Sequence, residues 1–468
     1  MILEQLYTNC LSEAAYFIAS GQEAAVIDPL RDTDAYLQLA EKHNVKIKYI
    51  FETHFHADFV SGHLDLAQKT GATIVYGPNA NTQFDSYIAK DNETFPIGEL
   101  RIIAMHTPGH TLESTCYLLQ DENGQAHSIF TGDTLFVGDV GRPDLFSGNL
   151  SKEELAGMMY ESLNQKIKTL PDHVIVYPAH GPGSACGKNL GKETFSTIGA
   201  QKMTNYALQD QSKEEFIQQV TQGLNVPPAY FPLNAKINSM GYRSLDELKQ
   251  EGLRPLSVDE FIAAEQDGAT ILDTRPSLIF TQGFVPGSIS IGLDGRFAEW
   301  AGSLLSFDKK YILVTEPGKE EESLIRLSRV GLDHVVGYLK GGYEAWKASG
   351  KASDMIIDVE ADELALDLPH DQNLQILDVR KPTEYEAGHV QGAINLPLSN
   401  MTDTLQLAQV SDEHNLYIHC AGGYRSVIAA SLLKREGFHN MRNVLGGWAK
   451  MKSIETLPIV QPKASVSN

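Results

Sequence analysis

Five of the fifteen histidines, His54, His56, His63, His106 and His110, fall within one stretch of 57 residues. In Phe51-Glu52-Thr53-His54-Phe55-His56-Ala57-Asp58-Phe59 the imidazoles and the carboxylate are spaced so that they can converge on one cation. Three further segments set a ligand-type side chain beside glycine or proline: Thr107-Pro108-Gly109-His110-Thr111, Phe130-Thr131-Gly132-Asp133-Thr134 and Tyr177-Pro178-Ala179-His180-Gly181. Each reads as the end of a strand, where loops build sites. One such segment alone is read as a surface or core-satisfied histidine. Four in this order point to a metal centre, to which His63 and His106 match no ligand segment and are read as structural.

A second chemistry is written at Cys420-Ala421-Gly422-Gly423-Tyr424-Arg425. Tyr417-Ile418-His419 reads as the end of a strand and Val427 onward as a helix. The glycines between them let successive backbone N–H groups turn inward, an anion-binding nest at a helix N-terminus. Those dipoles, with Arg425, favour the thiolate and make Cys420 the candidate nucleophile. The other cysteines are Cys10, Cys116 and Cys186. Cys10 and Cys116 sit in apolar, strand-like contexts and read as core. Cys186 lies six residues after His180, close enough in sequence to approach the metal; a buried inert thiol is its other reading.

The elements that must position these residues are short. Apolar runs at Ala25–Ile27, Tyr49–Phe51, Thr73–Tyr76, Leu100–Ala104, Ser128–Phe130 and Val174–Tyr177 read as buried strands. Helices are expected at Asp34–His43 and at Lys152–Leu163, the latter opened by Ser151 with Glu154 three residues on, a capping box. From about Gly187 to Pro255 the pattern turns polar and helical, interrupted by Pro227-Pro228 and Pro232, as in a connector that packs on its neighbours. Beyond it the chain repeats. Ile271-Leu272-Asp273-Thr274-Arg275 recurs as Ile376-Leu377-Asp378-Val379-Arg380, Gly283 and Gly287 recur as Gly388 and Gly392, and Gly341-Gly342 recurs as Gly446-Gly447, always 105 residues on. A period this long indicates duplicated domains rather than a solenoid.

With 468 residues the chain is long enough for about three domains. The class is α/β, and the expected boundaries are 1–186 for the metal-binding core, 187–256 for the helical connector, and 257–350 and 355–462 for the two repeats. Hydrophobic residues make up 42% and charged residues 21%, the balance of a folded globular chain. The net charge of −22 repels nucleic acid and anionic headgroups, so neither is an expected partner. No apolar run is long enough to span a bilayer, and Met1–Cys10 has no basic residue ahead of its apolar ones. Sparse cysteine suits a reducing compartment. A cytoplasmic protein is expected.

The four ligand segments resemble those of the metallo-β-lactamase fold, over roughly residues 1–250, and so imply an αββα sandwich. In the binuclear zinc hydrolases of that fold, such as glyoxalase II, the first segment reads H-x-H-x-D-H. Here Phe59 stands at the last position, and a benzyl group ligates nothing. What remains is similar to the persulfide dioxygenases, whose single Fe(II) is held by two histidines and one carboxylate. Carried onto this chain, these are His54, His110 and Asp133, a set that leaves positions open for substrate and O2. His56, Asp58 and His180 are then implied to orient ligands or to hydrogen-bond bound oxygen species, with a residual second metal site as the alternative. Within Gly138-Asp139-Val140-Gly141-Arg142-Pro143-Asp144, Arg142 is a candidate partner of a substrate carboxylate or sulfur oxyanion, or else a salt-bridge partner of Asp144.

The Cys420 loop, with Asp378, Arg380, Glu384 and Gly446-Gly447-Trp448, resembles the rhodanese sulfurtransferases over about residues 355–460, which implies that Cys420 carries a persulfide sulfur. In the middle repeat Val314 or Thr315, depending on register, replaces that cysteine, so scaffolding, domain positioning or oligomer contacts is its expected role. A homo-oligomer stays open. The order of domains is similar to bacterial fusions of sulfide detoxification. It implies a low-molecular-weight thiol persulfide, O2 and sulfite as small-molecule partners, with one iron per chain and no nucleic acid or membrane. A two-zinc thioester hydrolase fused to a sulfurtransferase is the competing reading.

Overall fold

A computed structural model describes residues 1–145 and 150–461; residue 462, the expected end of the last repeat, lies outside them. The chain divides into two compact units, Met1–Glu247 with Ile325–Leu332, and Leu248–Leu324 with the chain from Asp333 onward.

The first unit is a sandwich of two six-stranded sheets. Strands Ile2–Thr8, Glu13–Ser20, Glu23–Ile27, Lys46–Phe51, Thr73–Tyr76 and Tyr87–Ile88 lie side by side in chain order, and Thr94–Ile97, Leu100–His106, Thr115–Gln120, Ala126–Gly132, Ile175–Pro178 and Ser196–Thr197 do the same in the second sheet. One cluster of buried side chains, including Tyr16, Ile27, Phe51, Tyr117 and Phe130, is drawn from both sheets and fills the space between them. A second packs the outer face of the first sheet on helices Asp34–Lys42 and His63–Thr70, and a third packs the outer face of the second sheet on Lys152–Ser162, Ile198–Thr204 and Lys213–Thr221. Each sheet therefore hides both faces, and its strands read as apolar runs. The strand Glu13–Ser20 is buried throughout, including Glu13 and Ser20 at its two ends, and is not among the expected strands.

The capping box at Ser151 forms as expected, with Ser151 Oγ accepting from Glu154 N–H and the Glu154 carboxylate accepting from Ser151 N–H at 2.8 Å. Pro232 starts the helix Phe231–Met240 rather than interrupting one, because its missing N–H costs nothing in a first turn. Cys10 is not in a strand. It lies half-buried in the turn before Glu13, with Arg329 Nη1 3.7 Å from its sulfur.

The second unit holds two sheets of the same strand order. The first places Pro255–Leu256, Val335–Leu339, Tyr311–Val314, Thr270–Asp273 and Ile289–Ser290 side by side; the second places Ile357–Val359, Met441–Val444, Asn415–His419, Leu374–Asp378 and Ile394–Asn395. Asp273 pairs with Val314 and Asp378 with His419, so the residue that stands where Cys420 does is Thr315. The helix after Cys420 begins at Tyr424, three residues earlier than expected. Among the described residues no helix is long and apolar enough to cross a membrane.

Each repeat is braced by a buried ion pair. Arg380 Nε lies 2.9 and 3.0 Å from the two oxygens of Asp378, its Nη2 donates to Gly388 O at 2.8 Å, and its guanidinium covers the Trp448 ring at 4.5 Å. Arg275 does the same with Asp273, Gly283 O and Tyr343. Removing one partner strands the other charge in the core. Arg380→Ala is expected to cost about 3 to 5 kcal/mol, read as a shift of the urea transition of the second unit.

Candidate metal centre and thiol loop

The ligand-bearing segments meet because of how the two sheets are wired. Glu52 through Phe59 leaves the C-terminal end of strand Lys46–Phe51. In the other sheet Gly132 sits beside Pro178 in a parallel pair, so Asp133 and Ala179-His180 leave adjacent strands together. His110 comes from the loop between Leu100–His106 and Thr115–Gln120. The structure brings one donor atom from each of His54, His110 and Asp133 within 4.8 Å of the others, all buried. Asp133 Oδ2 is 3.4 Å from His110 Nε2 and 3.9 Å from His54 Nε2.

The outer face of each imidazole is held by a hydrogen bond that sets its tautomer. His110 Nδ1–H donates to Arg142 O at 2.8 Å. Thr53 Oγ1 gives its own proton to Asp28 at 2.8 Å and accepts from His54 Nδ1–H at 3.0 Å. His180 Nδ1–H donates to Ser12 O at 3.2 Å. In all three the Nε2 lone pair is left facing Asp133. Burial, reinforced by the neighbouring His56, His110 and His180, holds His54 well below the usual histidine range, so it is the neutral imidazole a metal requires. Both oxygens of Asp133 and Nε2 of His180 are buried without a hydrogen bond. Orphaned acceptors at this density are what a bound cation would satisfy. The donor set therefore fits a metal ion.

A second group lies beside the first. His56, Asp58 and His180 also bring donor atoms within 4.8 Å, as do Asp133, His180 and Cys186. His180 Nε2 is 3.4 Å from Asp58 Oδ2 and 3.5 Å from Asp133 Oδ1. Nε2 of His56, however, lies 3.1 Å from Asp28 and 3.7 Å from Glu52. Burial alone would push its pKa down; the charge and hydrogen bond of Asp28, with Glu52 and Asp58, overcome that and hold it at about 10. An imidazolium has no lone pair for a metal. The Phe59 ring, fully buried, packs on His56 with centroids 4.4 Å apart.

The loop from Gly138 to Asp144 reaches the centre through its backbone. A Cβ on Gly141 would lie 2.2 Å from Asp133 O and 2.9 Å from His110 Nδ1, so only glycine lets the chain pass between these two ligands. Arg142 is not a substrate-facing cation. Its guanidinium forks onto Asp144 at 2.7 and 2.8 Å and donates to Asn225 O, and it is 5% exposed, so the salt-bridge reading holds. What Arg142 contributes is its carbonyl. Cys186 is fully enclosed beside Asp133 and His180; burial first, then the charges of Asp58 and Asp133, push its thiol well above the usual range and keep it protonated. His63 stacks on Phe84 at 4.9 Å and faces Glu52 at 3.5 Å, and His106 bonds to Leu112 O at 2.8 Å; both are structural.

Three residues at the centre went unrecognised in the sequence. Asp28 anchors Thr53 and His56 from a left-handed backbone (φ 49°), a conformation that the following Pro29, which favours an extended residue before it, gave no reason to expect. Glu52 was read only as part of a strand end. Asn238, from the connector helix, donates to the carbonyls of His56 and Phe59 at 2.8 Å and accepts from Ser61 N–H. No local motif marks it.

In the second unit Cys420 is 2% exposed at the end of its strand. Its sulfur accepts from Gly423 N–H at 3.0 Å and lies 3.7 Å from Ser426 Oγ. Trp448 N–H donates to Cys420 O at 2.7 Å. Arg425 is engaged by Glu384 through two bonds of 2.7 and 2.8 Å, so it closes the loop's edge as half of an ion pair. At Thr315 the middle repeat has a buried hydroxyl, followed by Glu316 and by Pro317, which has no N–H to offer an anion.

Comparison with known proteins assigns residues 8–180 to the metallo-beta-lactamase superfamily and residues 257–349 and 360–454 to the rhodanese-like domain. The chain is 31% identical over 191 residues to the probable hydroxyacylglutathione hydrolase glo2 of Schizosaccharomyces pombe, covering 40% of this chain and 70% of that protein. The crystal structure of a metallo-beta-lactamase from Staphylococcus aureus superposes with a TM-score of 0.64 at 31% identity, over 73% of this chain and 98% of that one. ETHE1 from Myxococcus xanthus is 30% identical over 51% of this chain and all of its own, with a TM-score of 0.43.

If Thr53 fixes His54 as the geometry indicates, Thr53→Val keeps the side-chain volume, removes the acceptor for Nδ1–H and lowers metal affinity by about ten- to a hundredfold. Metal content after dialysis against a graded chelator checks this; unchanged retention would separate Thr53 from the site.

Proposed function

Because the chain belongs to the metallo-beta-lactamase superfamily and carries two rhodanese-like domains behind that fold, we propose that it is an iron-dependent persulfide dioxygenase and sulfurtransferase. The observation that carries this reading is the asymmetry of the histidine cluster. One side offers two imidazoles whose Nε2 atoms face a carboxylate, and the other has Phe59 in place of a ligand and His56 paired with Asp28. A one-metal centre fits that asymmetry better than a symmetric pair.

Fe(II) held by His54, His110 and Asp133 would supply Lewis acidity and the activation of O2. The rest falls to the chain. Arg142 O and Thr53 Oγ1 keep the two imidazoles in their ligating tautomers. Phe59 and Phe136, both buried, close the neighbourhood of His56 and His180 with apolar surface that excludes water. His180 directs its Nε2 toward Asp58 and Asp133, where it can meet a polar group of the substrate.

The overall oxidation takes one persulfide, O2 and water to thiol, sulfite and two protons. In the second unit Cys420 attacks the terminal sulfur of another persulfide, displacing thiolate and becoming a persulfide itself, with Gly423 N–H directed at its sulfur. Sulfite then takes that sulfur as thiosulfate and returns the Cys420 thiolate. The sum is two persulfides, O2 and water to two thiols, thiosulfate and two protons. Tethering places the sulfite source at raised effective concentration near Cys420. The middle repeat, with Thr315 at the nucleophile's position, transfers no sulfur.

A second reading rests on a specific observation. His56, Asp58 and His180 still converge, and similar proteins are named hydroxyacylglutathione hydrolases. A two-zinc thioester hydrolase would use that group as its second site.

Oxygen-electrode traces separate the two. Glutathione persulfide is expected to drive O2 uptake that vanishes in His110→Ala, with about one iron per chain. Two zinc ions per chain, hydrolysis of a glutathione thioester and no O2 uptake would overturn the dioxygenase reading. Cys420→Ser is expected to keep O2 uptake while the product changes from thiosulfate to sulfite.

A further inference from the structure

The loop that holds Cys420 has almost no packing of its own. A Cβ on Gly422 would meet nothing within 4 Å, and one on Gly423 would find only Gly446 N at 3.9 Å. Glycine also loses the most backbone freedom on ordering. The N–H of Gly423, which donates to the Cys420 sulfur, is therefore directed by what pins the loop at its two ends. At the start, Trp448 and Ala449 N–H groups hold the carbonyls of Cys420 and Ala421 at 2.7 and 3.0 Å. At the end, Arg425 is held by Glu384, and Tyr424 reaches into the middle repeat.

Tyr424 O–H donates to Gly292 O at 2.7 Å. Its ring lies against Gly295 so closely that a Cβ there would sit 2.4 to 2.6 Å from three ring carbons. The repeat is asymmetric here: Gly292-Leu293-Asp294-Gly295 of the middle domain corresponds, 105 residues on, to Pro397-Leu398-Ser399-Asn400, and Tyr424 corresponds to Lys319. Gly295 of the middle repeat thus stands where the Tyr424 ring needs bare backbone.

A second connection runs through buried side chains. Thr281 of the middle repeat donates to Asp358 at 2.6 Å, Asn443 Nδ2 donates to the other Asp358 oxygen at 2.7 Å, and Asn443 Oδ1 accepts from Ser426 at 2.7 Å. Ser426 Oγ is the atom 3.7 Å from the Cys420 sulfur. Both connections end on the same loop.

We infer that the middle repeat forms half of the sulfurtransferase site: its Gly292–Gly295 turn seats Tyr424, a positioning residue that aims the backbone donor of Gly423 at the Cys420 sulfur. This rests on Cys420 being the sulfur carrier and is independent of the metal chemistry. It assigns a role to a domain that carries Thr315 in place of the nucleophile.

The test uses the full-length chain with Tyr424→Phe, Gly295→Ala, Tyr424→Ala and the Gly295→Ala/Tyr424→Ala double variant. Two quantities are read: sulfur transfer from thiosulfate to cyanide, and the rate at which iodoacetamide alkylates Cys420 at fixed pH, followed by peptide mass spectrometry. Tyr424→Phe, which removes one hydrogen bond and keeps the ring, is expected to lower kcat about fivefold while KM for thiosulfate stays close to its original value. Gly295→Ala is expected to lower kcat about tenfold by pushing the ring off its seat. In the Tyr424→Ala background the same Gly295→Ala change is expected to cost nothing further, a coupling that general destabilisation would not produce. Wild-type kcat and alkylation rate in both Tyr424→Phe and Gly295→Ala, or an equal Gly295→Ala cost in both backgrounds, would overturn the inference. Should the unsubstituted chain transfer no sulfur, the reading of Cys420 as carrier fails, and the coupling in alkylation rate still decides whether the seat exists.

Discussion

A buried carboxylate without a partner is the constraint from which the first unit is organised. Asp133 has both oxygens out of water and no hydrogen bond to either, with three imidazole nitrogens 3.4 to 3.9 Å away. Ionised and alone, such a group would cost several kcal/mol. A cation shared with His54 and His110 removes that cost, and the imidazoles can share it only as neutral ligands. Thr53, Arg142 O and Ser12 O each take an Nδ1 proton and so turn the opposite nitrogen, Nε2, toward Asp133. Those groups come from three distant parts of the chain, so the metal centre and the sandwich depend on each other.

The same logic explains the division of labour among the histidines. His56 lies one residue beyond His54's neighbour, yet Asp28 and Glu52 draw it into an ion pair with the opposite protonation state. Two imidazoles from one short segment thereby serve as a ligand and as a cation. Phe59 adds an apolar wall where a further ligand would otherwise stand.

In the second unit the constraint is conformational. A nest that can hold an anionic sulfur needs glycines, and glycines leave it unsupported. Support comes from outside the loop, from Gly447 and Trp448 on one side and from the middle repeat on the other. Gly447 itself leaves no room for a side chain, since a Cβ there would lie 2.2 Å from Cys420 O. The middle repeat, with Thr315 at the position equivalent to Cys420, meets Tyr424 at Gly292 and Gly295.

Much of this was legible in the residue order. The candidate ligand segments, the thiol loop, the capping box at Ser151 and the 105-residue repeat are local patterns, and local patterns follow from backbone geometry and short-range chemistry. Half of the strands of the sandwich were not legible: Glu13–Ser20, for example, holds the short apolar run Ala14–Ala19 between two polar ends, and a run of that length fits a buried helix segment as well as a strand until its neighbours are in place. Arg142 illustrates the limit for side chains: its position beside the metal loop suited a substrate contact, and only the approach of Asp144 and Asn225 O decided for a structural one. By itself the sequence determined which residue types are available, the superfamily pattern of their spacing and the repeat of the rhodanese-like segment. The tertiary structure decided which histidine is neutral and which is charged, that Thr315 is the counterpart of Cys420, and that Tyr424 rests on the middle repeat. The physical reason is that protonation, register and support depend on groups tens to hundreds of residues away, whose distances no local pattern encodes.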